Sequence, residues 1–364
     1  WEKVTTLDLG LDARFFNDAL GVTFDWYNRT TSDILTTANL PATLGADAPY
    51  ENMGTIQTKG WELAIDYRHT FKNGLHFGVT ASVADDKTEV TKWTYNTKIP
   101  SYGATGWWDK SAYKEGMVLG DIWGLQFDRF LTEDDFNADG SLKAGLPDQT
   151  KVFPAGYQFA PGDVLYKDLD NNGEIVKQTN TNDKGDLSVI GNALPRLQFG
   201  LNLDAAWKGF DISMFFQGVA KRKLWAAGNQ VLPGFTTGEP FYKGAEDYWT
   251  PENTDAFYPR PMDYKQSASG NYSVNDRYLL NMAYLRLKTF TVGYSLPKVW
   301  LSKFKVQGLR VYFTGENLFT IDGVKPAIDP EIGIRTASGK SDQRNFGRSY
   351  PYQKTVSFGI QLSL

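Results

Sequence analysis

Cysteine is absent from the 364 residues of the chain. A disulfide framework, a thiol nucleophile and a cysteine-ligated metal centre are therefore excluded. Histidine is scarce, since His69 and His76 are the only two and flank a single turn. The GxSxG, P-loop and HExxH patterns of common enzymes are missing. Carboxylates are numerous enough for a paired-acid glycosidase, but nothing in the sequence positions a pair, and we expect no enzyme.

Long apolar runs are also missing. No stretch approaches the roughly 18 apolar residues of a membrane helix, although a membrane barrel needs apolar residues only at alternate positions. An excess of positive charge is missing as well, because the formal net charge is −4, so no basic surface indicates nucleic-acid binding. Trp1 follows neither Met nor a secretion signal, and regular alternation begins at Val4. We therefore expect this chain to be part of a longer one.

Aromatic residues and glycine are abundant. The aromatic share is 15% and there are 35 glycines, a composition that favours strands and tight turns. The clearest pattern lies at 354–364, where apolar side chains alternate with small or polar ones. Because successive side chains of a strand face opposite sides, this segment predicts a strand with one apolar face. The apolar positions are Val356, Phe358, Ile360, Leu362 and Leu364.

The same alternation predicts about ten strands along the chain. Short turns connect them at one end and long loops at the other, which is typical of outer-membrane barrels. A soluble β-domain gives the same alternation, but loops well beyond about 15 residues are rare in compact soluble domains. If the C-terminus and the short turns at 17–20, 72–74 and 208–209 all lie on the periplasmic side, one further strand is needed between about 92 and 194. We place this strand at 158–166. The predicted strands lie near 7–15, 22–27, 61–68, 75–83, 122–131, 197–207, 210–218, 284–296, 309–316 and 354–364.

Several short motifs occur in the order found in one known family. The chain reads KGWEL at 59–63, YWTPEN at 248–253, GYSLP at 293–297, ENLFT at 316–320 and DPE at 329–331. These segments resemble SusC/RagA-like TonB-dependent outer-membrane transporters over nearly the whole chain. One departure is the last residue, Leu364, where such barrels usually end in an aromatic residue.

The resemblance implies an all-β fold, an antiparallel transmembrane β-barrel. Residues 1–364 would supply the C-terminal part, about 10–12 of the family's 22 strands, with long extracellular loops. The plug and the N-terminal strands would lie outside this chain, so the chain should not close a barrel on its own. Strand 354–364 would then need a partner from the missing part.

The resemblance also implies a function. Family members in the outer membrane of Gram-negative bacteria import oligosaccharides together with a SusD-like surface lipoprotein that acts as a lid. TonB would supply energy through the missing N-terminal part, and outer-membrane lipid would surround the barrel. A peptide importer of the same family and a non-transporting surface β-protein or adhesin remain as alternatives.

An acidic loop at 168–175 provides a candidate metal site. Asp168, Asp170 and Asn172 occupy positions 1, 3 and 5 of an EF-hand-type loop, and Gly173 occupies position 6. Position 12 is Thr179, which lacks the expected carboxylate. An insertion would let a later acid serve instead, and the alternative is a metal-free turn rich in Asp and Asn. The candidate Ca²⁺ ligands are Asp168, Asp170, Asn172, Glu174, Asp183 and Asp186.

Aromatic side chains are concentrated in the predicted loops. Their flat faces suit stacking on sugar rings, while nearby Asp and Asn suit sugar hydroxyls. The alternative is that they pack the loops or lie at the membrane interface. The candidate ligand-binding residues are Trp107, Trp108, Tyr113, Trp225 and Tyr242.

Overall fold

The structure is a computed structural model, and its main feature is a nine-stranded antiparallel sheet. Each strand pairs with its neighbours in sequence, so the sheet is a simple meander. The described residues are 1–37, 49–94, 114–177, 183–226, 228, 230–234, 241–262, 270–301, 306–325, 328–331, 336–337, 340–341 and 352–363.

The nine strands span 9 to 21 residues each. They are β1 Lys3–Phe15, β2 Leu20–Thr37, β3 Tyr50–Thr70, β4 His76–Trp93, β5 Arg196–Trp207, β6 Phe210–Lys221, β7 Tyr284–Ser295, β8 Gly308–Asp322 and β9 Thr355–Ser363.

The connections differ sharply between the two ends of the sheet. The β5–β6 turn is Lys208-Gly209, and both residues have positive φ, 48° and 90°. This geometry matches a tight hairpin and explains why glycine follows lysine there. The β3–β4 turn is also short and uses Gly74 at φ 82°. At the other end, the connections 94–195 and 222–283 are long, as predicted from the sequence.

The two faces of the sheet have opposite character. The register aligns apolar side chains in rows, with Phe24 opposite Leu63 and Leu63 opposite Val83. On the last strand this face is open, because Phe358 is 82% exposed and Ile360 is 72% exposed. An exposed apolar surface of this kind is typical of a contact with a membrane or with another protein. The other face carries Asp, Glu, Thr, Ser and Arg, and we call it the inner face.

Two predicted strands lie outside the nine-stranded sheet. Segments Asp121–Gly124 and Phe127–Phe130 pair with Ser188–Asn192 and Val164–Tyr166, within the same long connection. The predictions at 122–131 and 158–166 are therefore wrong as barrel strands. Strand β4 pairs directly with β5, so the alternation of turns and loops needs no additional strand between them.

The long connections form what we call the loop module, the described residues of 94–195 and 222–283. It packs around two apolar clusters, one centred on Trp225 and Leu232 and the other on Leu125 and Val164. The remaining elements of the described residues are the pairs Lys223–Leu224 with Leu280–Asn281 and Thr336–Ala337 with Lys340–Ser341, a 3-10 helix Glu133–Asp135 and helix α1 Lys298–Leu301. In the part of the chain that the structure describes, no helix is long and apolar enough to cross a membrane.

The sheet is open. Strands β1 and β9 lie at its two ends, and within the described residues neither has a second neighbour. An unpaired strand edge exposes a row of backbone N–H and C=O groups. The expectation that this chain does not close a barrel by itself is confirmed by this order.

Candidate functional site

Ion pairs on the inner face join strands that have one other strand between them, β1 with β3 and β6 with β8. Arg14 Nη1 donates to Asp66 Oδ2 at 2.8 Å, and Arg310 Nε donates to Asp211 Oδ1 at 2.9 Å. A depression of about 530 Å³ lies in this wall, with Asp25 directly opposite Glu62 in the register. The inner face is therefore a charged, hydrophilic surface that suits polar solutes.

A second set of ion pairs attaches a loop segment to this wall. Arg286 is only 3% exposed, and its Nη2 donates to both carboxylate oxygens of Asp329 at 2.9 Å. Lys288 Nζ donates to both oxygens of Glu331 at 3.0 Å. The ring of Tyr352 lies against both cations, 5.2 Å and 5.0 Å from their charged ends. We call these five residues the Arg286 clamp; it holds 329–331 against β7.

A buried ion pair links the two halves of the loop module. Asp163 is fully buried, and Arg260 Nε donates to its Oδ1 at 2.8 Å. The Tyr157 hydroxyl and the Asn271 amide also donate to this oxygen, at 2.8 Å and 3.0 Å. Burial, reinforced by the Asp163 carboxylate, raises the pKa of Tyr157. The acid is thus fully satisfied, as a buried charge must be.

Three of the six predicted metal ligands lie together. Asp168, Asp170 and Asp186 each offer a carboxylate oxygen, and these oxygens all lie within 4.8 Å of one another. Asp186 is buried and accepts hydrogen bonds from the backbone N–H groups of Leu169 and Val176, both at 2.8 Å. Desolvation, together with the neighbouring Asp168 and Asp186 carboxylates, raises the pKa of Asp170. Oδ1 of Asp168 is buried without a hydrogen-bond partner.

The other three predicted ligands make contacts outside this cluster of carboxylates. Asn172 Oδ1 accepts a hydrogen bond from the Glu174 backbone N–H at 2.7 Å, and the Glu174 carboxylate pairs with Lys151. Asp183 Oδ1 accepts from the Gly185 backbone N–H at 3.0 Å. Residue Thr179 lies outside the described residues. The described geometry therefore favours Asp186 as the acid that completes the set.

The predicted aromatic residues have different surroundings. Trp225 is 2% exposed and packs in the first apolar cluster, so it has no free face for a ligand. Tyr242 is partly exposed at the rim of a pocket in the loop module. Trp107, Trp108 and Tyr113 lie outside the described residues.

The pocket beside Tyr242 has a volume of about 550 Å³, and we call it the Tyr242 pocket. Among the described residues, its lining combines aromatic and prolyl rings with two charged side chains. Sequence reasoning selected Tyr242 but missed most of the remaining lining, because it is supplied by segments distant in sequence. The lining residues are Pro233, Phe241, Tyr242, Lys243, Ala245, Glu246, Tyr248, Tyr258, Pro259, Pro261 and Tyr272.

The family profile described as "TonB dependent receptor-like, beta-barrel" matches residues 1–318. The chain belongs to this TonB-dependent receptor family. It is a protein of the Gram-negative outer membrane, and the long connections lie at the extracellular end of a TonB-dependent barrel. The predicted all-β barrel fold, the SusC/RagA-like resemblance and the localisation are confirmed.

Related proteins cover the whole chain. It is 28% identical to TonB-dependent receptor P3 of Formosa agariphila, with 100% of this chain and 34% of that protein covered. It is 24% identical to TonB-dependent receptor SusC of Bacteroides thetaiotaomicron, covering 100% and 32%. The chain thus spans about a third of the length of these curated relatives.

The fold has a solved counterpart. The structure of the RagAB peptide transporter matches with a TM-score of 0.69 at 20% identity, covering 100% of this chain and 35% of that one. A RagAB structure in the "open-open" state matches with a TM-score of 0.66. At this identity the likeness shows that the chain shares the fold of the matched part of that structure.

Proposed function

We propose that the protein imports oligosaccharides across the outer membrane as a TonB-dependent, SusC-like transporter. The observation that carries this proposal is the sheet itself, apolar on its outer face and lined with charged and hydroxyl groups on its inner face. A polar wall inside a lipid-facing barrel favours passage of a hydrated solute. Binding and passage would leave the substrate chemically unchanged, so the protein would not be an enzyme.

The proposed partners follow from the family. A SusD-like surface lipoprotein would cover the extracellular end, where the loop module lies. The remaining barrel strands would pair with the free edges of β1 and β9, and a plug would fill the lumen. TonB would act through the part of the protein that precedes this chain.

Uptake of oligosaccharides by gene-deletion strains tests the proposal. Deleting the gene should abolish uptake of at least one oligosaccharide, and a plasmid copy should restore it. Deleting the gene of the proposed SusD-like lipoprotein, with the barrel gene intact, should reduce the same uptake. Unchanged uptake of every oligosaccharide in the barrel deletion would refute the proposal.

Peptide import is the second candidate. Its support is the likeness to structures of a protein described as a peptide transporter. The charged inner face is compatible with either solute. Loss of peptide uptake in the deletion strain, with all oligosaccharide uptake intact, would favour this alternative. A non-transporting adhesin would leave both kinds of uptake intact.

We also propose that Asp168, Asp170 and Asp186 bind a structural Ca²⁺ ion. Oxygen ligands from clustered carboxylates suit this hard cation, and the unpartnered buried oxygen of Asp168 would gain a partner. An ion would also relieve the repulsion between the three carboxylates.

Calorimetry with CaCl₂ on the protein isolated from the outer membrane tests this site. We expect Asp168→Ala to abolish Ca²⁺ binding and to lower the melting temperature measured with CaCl₂. Asp139→Ala provides the matched control, because Asp139 lies in an exposed turn and accepts hydrogen bonds from Ser141. No heat of binding, or equal binding by both variants, would contradict the proposal.

A further inference from the structure

The Tyr242 pocket has an unusual surface for a loop. Phe241 is 61% exposed, and Tyr242 and Tyr248 are also exposed around its rim. The buried rings of Tyr258 and Tyr272 also line it. Exposed apolar clusters in a concave site commonly mark a binding surface. The volume of about 550 Å³ lies within the range of roughly 300–1,000 Å³ found for small-molecule sites.

The ring chemistry indicates what fits. Tyrosine combines a flat apolar face with a hydroxyl group at its edge. A pyranose ring has the matching surfaces, since its C–H groups stack on the face and its hydroxyls bond at the edge. Lys243 and Glu246 add a strong donor and a strong acceptor to the same pocket.

The charges nearby are balanced. A neighbouring cavity of about 670 Å³ shares Lys243, Glu246 and Tyr258 with the Tyr242 pocket. Since three basic and three acidic side chains of the described residues line that cavity, this described lining has no excess of one sign that would attract a polyanion. The charged residues are Lys243, Arg277 and Lys325, against Glu246, Asp247 and Asp255.

Several backbone groups beside the pocket are already paired with each other. The Trp249 N–H donates to the Tyr258 carbonyl at 3.0 Å, and the Tyr258 N–H donates to the Asp247 carbonyl at 2.9 Å. The prolines of the lining have no N–H to offer. Extended peptides are commonly bound through free backbone groups of a strand edge. This pocket instead offers side-chain rings and side-chain polar groups.

We propose that the Tyr242 pocket binds a sugar unit of a neutral oligosaccharide, through stacking on Tyr242 and Tyr248 and hydrogen bonds to Lys243 and Glu246. This proposal rests on the proposed import of oligosaccharides and specifies the substrate class. The pocket would capture the sugar chain at the extracellular end, before it reaches the inner face of the barrel.

Binding to an oligosaccharide array tests the proposal. The protein isolated from the outer membrane is probed with neutral gluco-, manno- and xylo-oligosaccharides, with oligogalacturonates and sulfated oligosaccharides, and with short peptides. We expect binding to at least one neutral oligosaccharide. Tyr242→Ala and Tyr248→Ala should each weaken it about tenfold or more, as expected for loss of an aromatic anchor.

Two further variants separate stacking from folding. Tyr242→Phe keeps the ring and should retain most of the affinity, whereas Tyr50→Ala removes an exposed tyrosine outside the pocket and should leave binding unchanged. Equal melting temperatures of all variants would exclude misfolding as the cause. Three results would overturn the proposal. They are wild-type affinity in both alanine variants, binding only to anionic oligosaccharides or peptides, and no binding at all.

Uptake by cells separates this proposal from the proposed function. If cells carrying Tyr242→Ala and Tyr248→Ala together import neutral oligosaccharides at the wild-type rate, the pocket assignment fails and oligosaccharide import stands. If wild-type cells use the protein only for peptides, oligosaccharide import fails and the pocket assignment fails with it.

Discussion

At the scale of single residues, Phe358 tests which face of the sheet meets lipid. Its ring lies 5.3 Å from that of Phe313 on the open apolar face. Phe358→Arg places a charge in lipid and should cost about 2–4 kcal/mol near the bilayer midplane. Denaturant unfolding of the complete barrel from lipid bilayers measures this loss.

The neighbouring position provides the control for that substitution. Ser357 follows the opposite parity on β9 and lies opposite Thr314 on the inner face. Ser357→Arg should therefore have a small effect. It is a cleaner control than Gln361→Arg, because Gln361 lies opposite Arg310 and would add like-charge repulsion. Equal losses for Phe358→Arg and Ser357→Arg would contradict the assignment of the two faces.

Asp135 gives the loop module a defined dependence on pH. Arg129 donates to both of its carboxylate oxygens, at 2.6 Å and 2.8 Å. These hydrogen bonds from Arg129, together with those from Thr132, lower the pKa of Asp135 to about 2. An ordinary Asp has a pKa of about 3.9. The stability from this pair is therefore complete above about pH 4 and is lost as the pH falls towards 2.

Melting temperatures of the wild type and Asp135→Asn, recorded from pH 7 to pH 2, check this dependence. The wild type should melt at the higher temperature near neutral pH, and the difference should disappear near pH 2. A difference that stays constant over this range would show that the carboxylate charge is not responsible.

At the scale of elements, the Arg286 clamp joins strand β7 to the DPE motif at 329–331. Arg286 lies in β7, while Asp329 and Glu331 follow β8. Arg286→Ala leaves two partly buried acids with only Lys288 as a cationic partner in the clamp, and breaking a buried pair commonly costs about 3–5 kcal/mol. We expect faster amide hydrogen exchange in 328–331 and a lower melting temperature.

Arg286→Lys is the informative comparison for the clamp. Lysine keeps the charge but cannot reproduce the planar donor arrangement of arginine. We expect an intermediate loss of stability. Unchanged exchange in 328–331 for Arg286→Ala would mean that the segment is held by other contacts.

The sequence predicted the regular part of the sheet well, for a physical reason. Hairpins such as 61–68 with 75–83 contain both strands and their turn, so local alternation and Gly74 specify the pairing. Segments 122–131 and 158–166 show that alternation alone does not identify a partner. Their short strands satisfy their backbone groups within one connection, and sequence spacing does not encode that choice.

The candidate sites show the same limit. The spacing of Asp168 and Asp170 marks a turn that orients carboxylates, so the acidic loop could be recognised from sequence. The burial of Trp225 could not, because exposure depends on packing between distant segments. The Tyr242 pocket was only partly foreseen, since Pro233 and Tyr272 reach it through the tertiary fold.

At the scale of the whole molecule, the open sheet predicts uneven protection of its strands. When residues 1–364 are prepared alone in detergent micelles, the outer backbone groups of β1 and β9 have no described partner. Their amides should exchange faster than those of β3, which is paired on both sides. In a barrel closed by further strands that pair with β1 and β9, as proposed above, this difference should disappear. Equal protection of β9 and β3 in the isolated chain would contradict the order of the sheet.

The contacts between the two long connections also affect the order in which parts of the chain fold. The sheet joins strands adjacent in sequence, and such local contacts form quickly. The loop module instead needs contacts such as that from the Val164 N–H to Asn271, which are 107 residues apart. Closing so long a loop has an entropic cost, and strands β5 and β6 lie between its ends. The loop module should therefore fold after the sheet. A partner that recognises the loop module would then bind only molecules in which β5 and β6 have already formed.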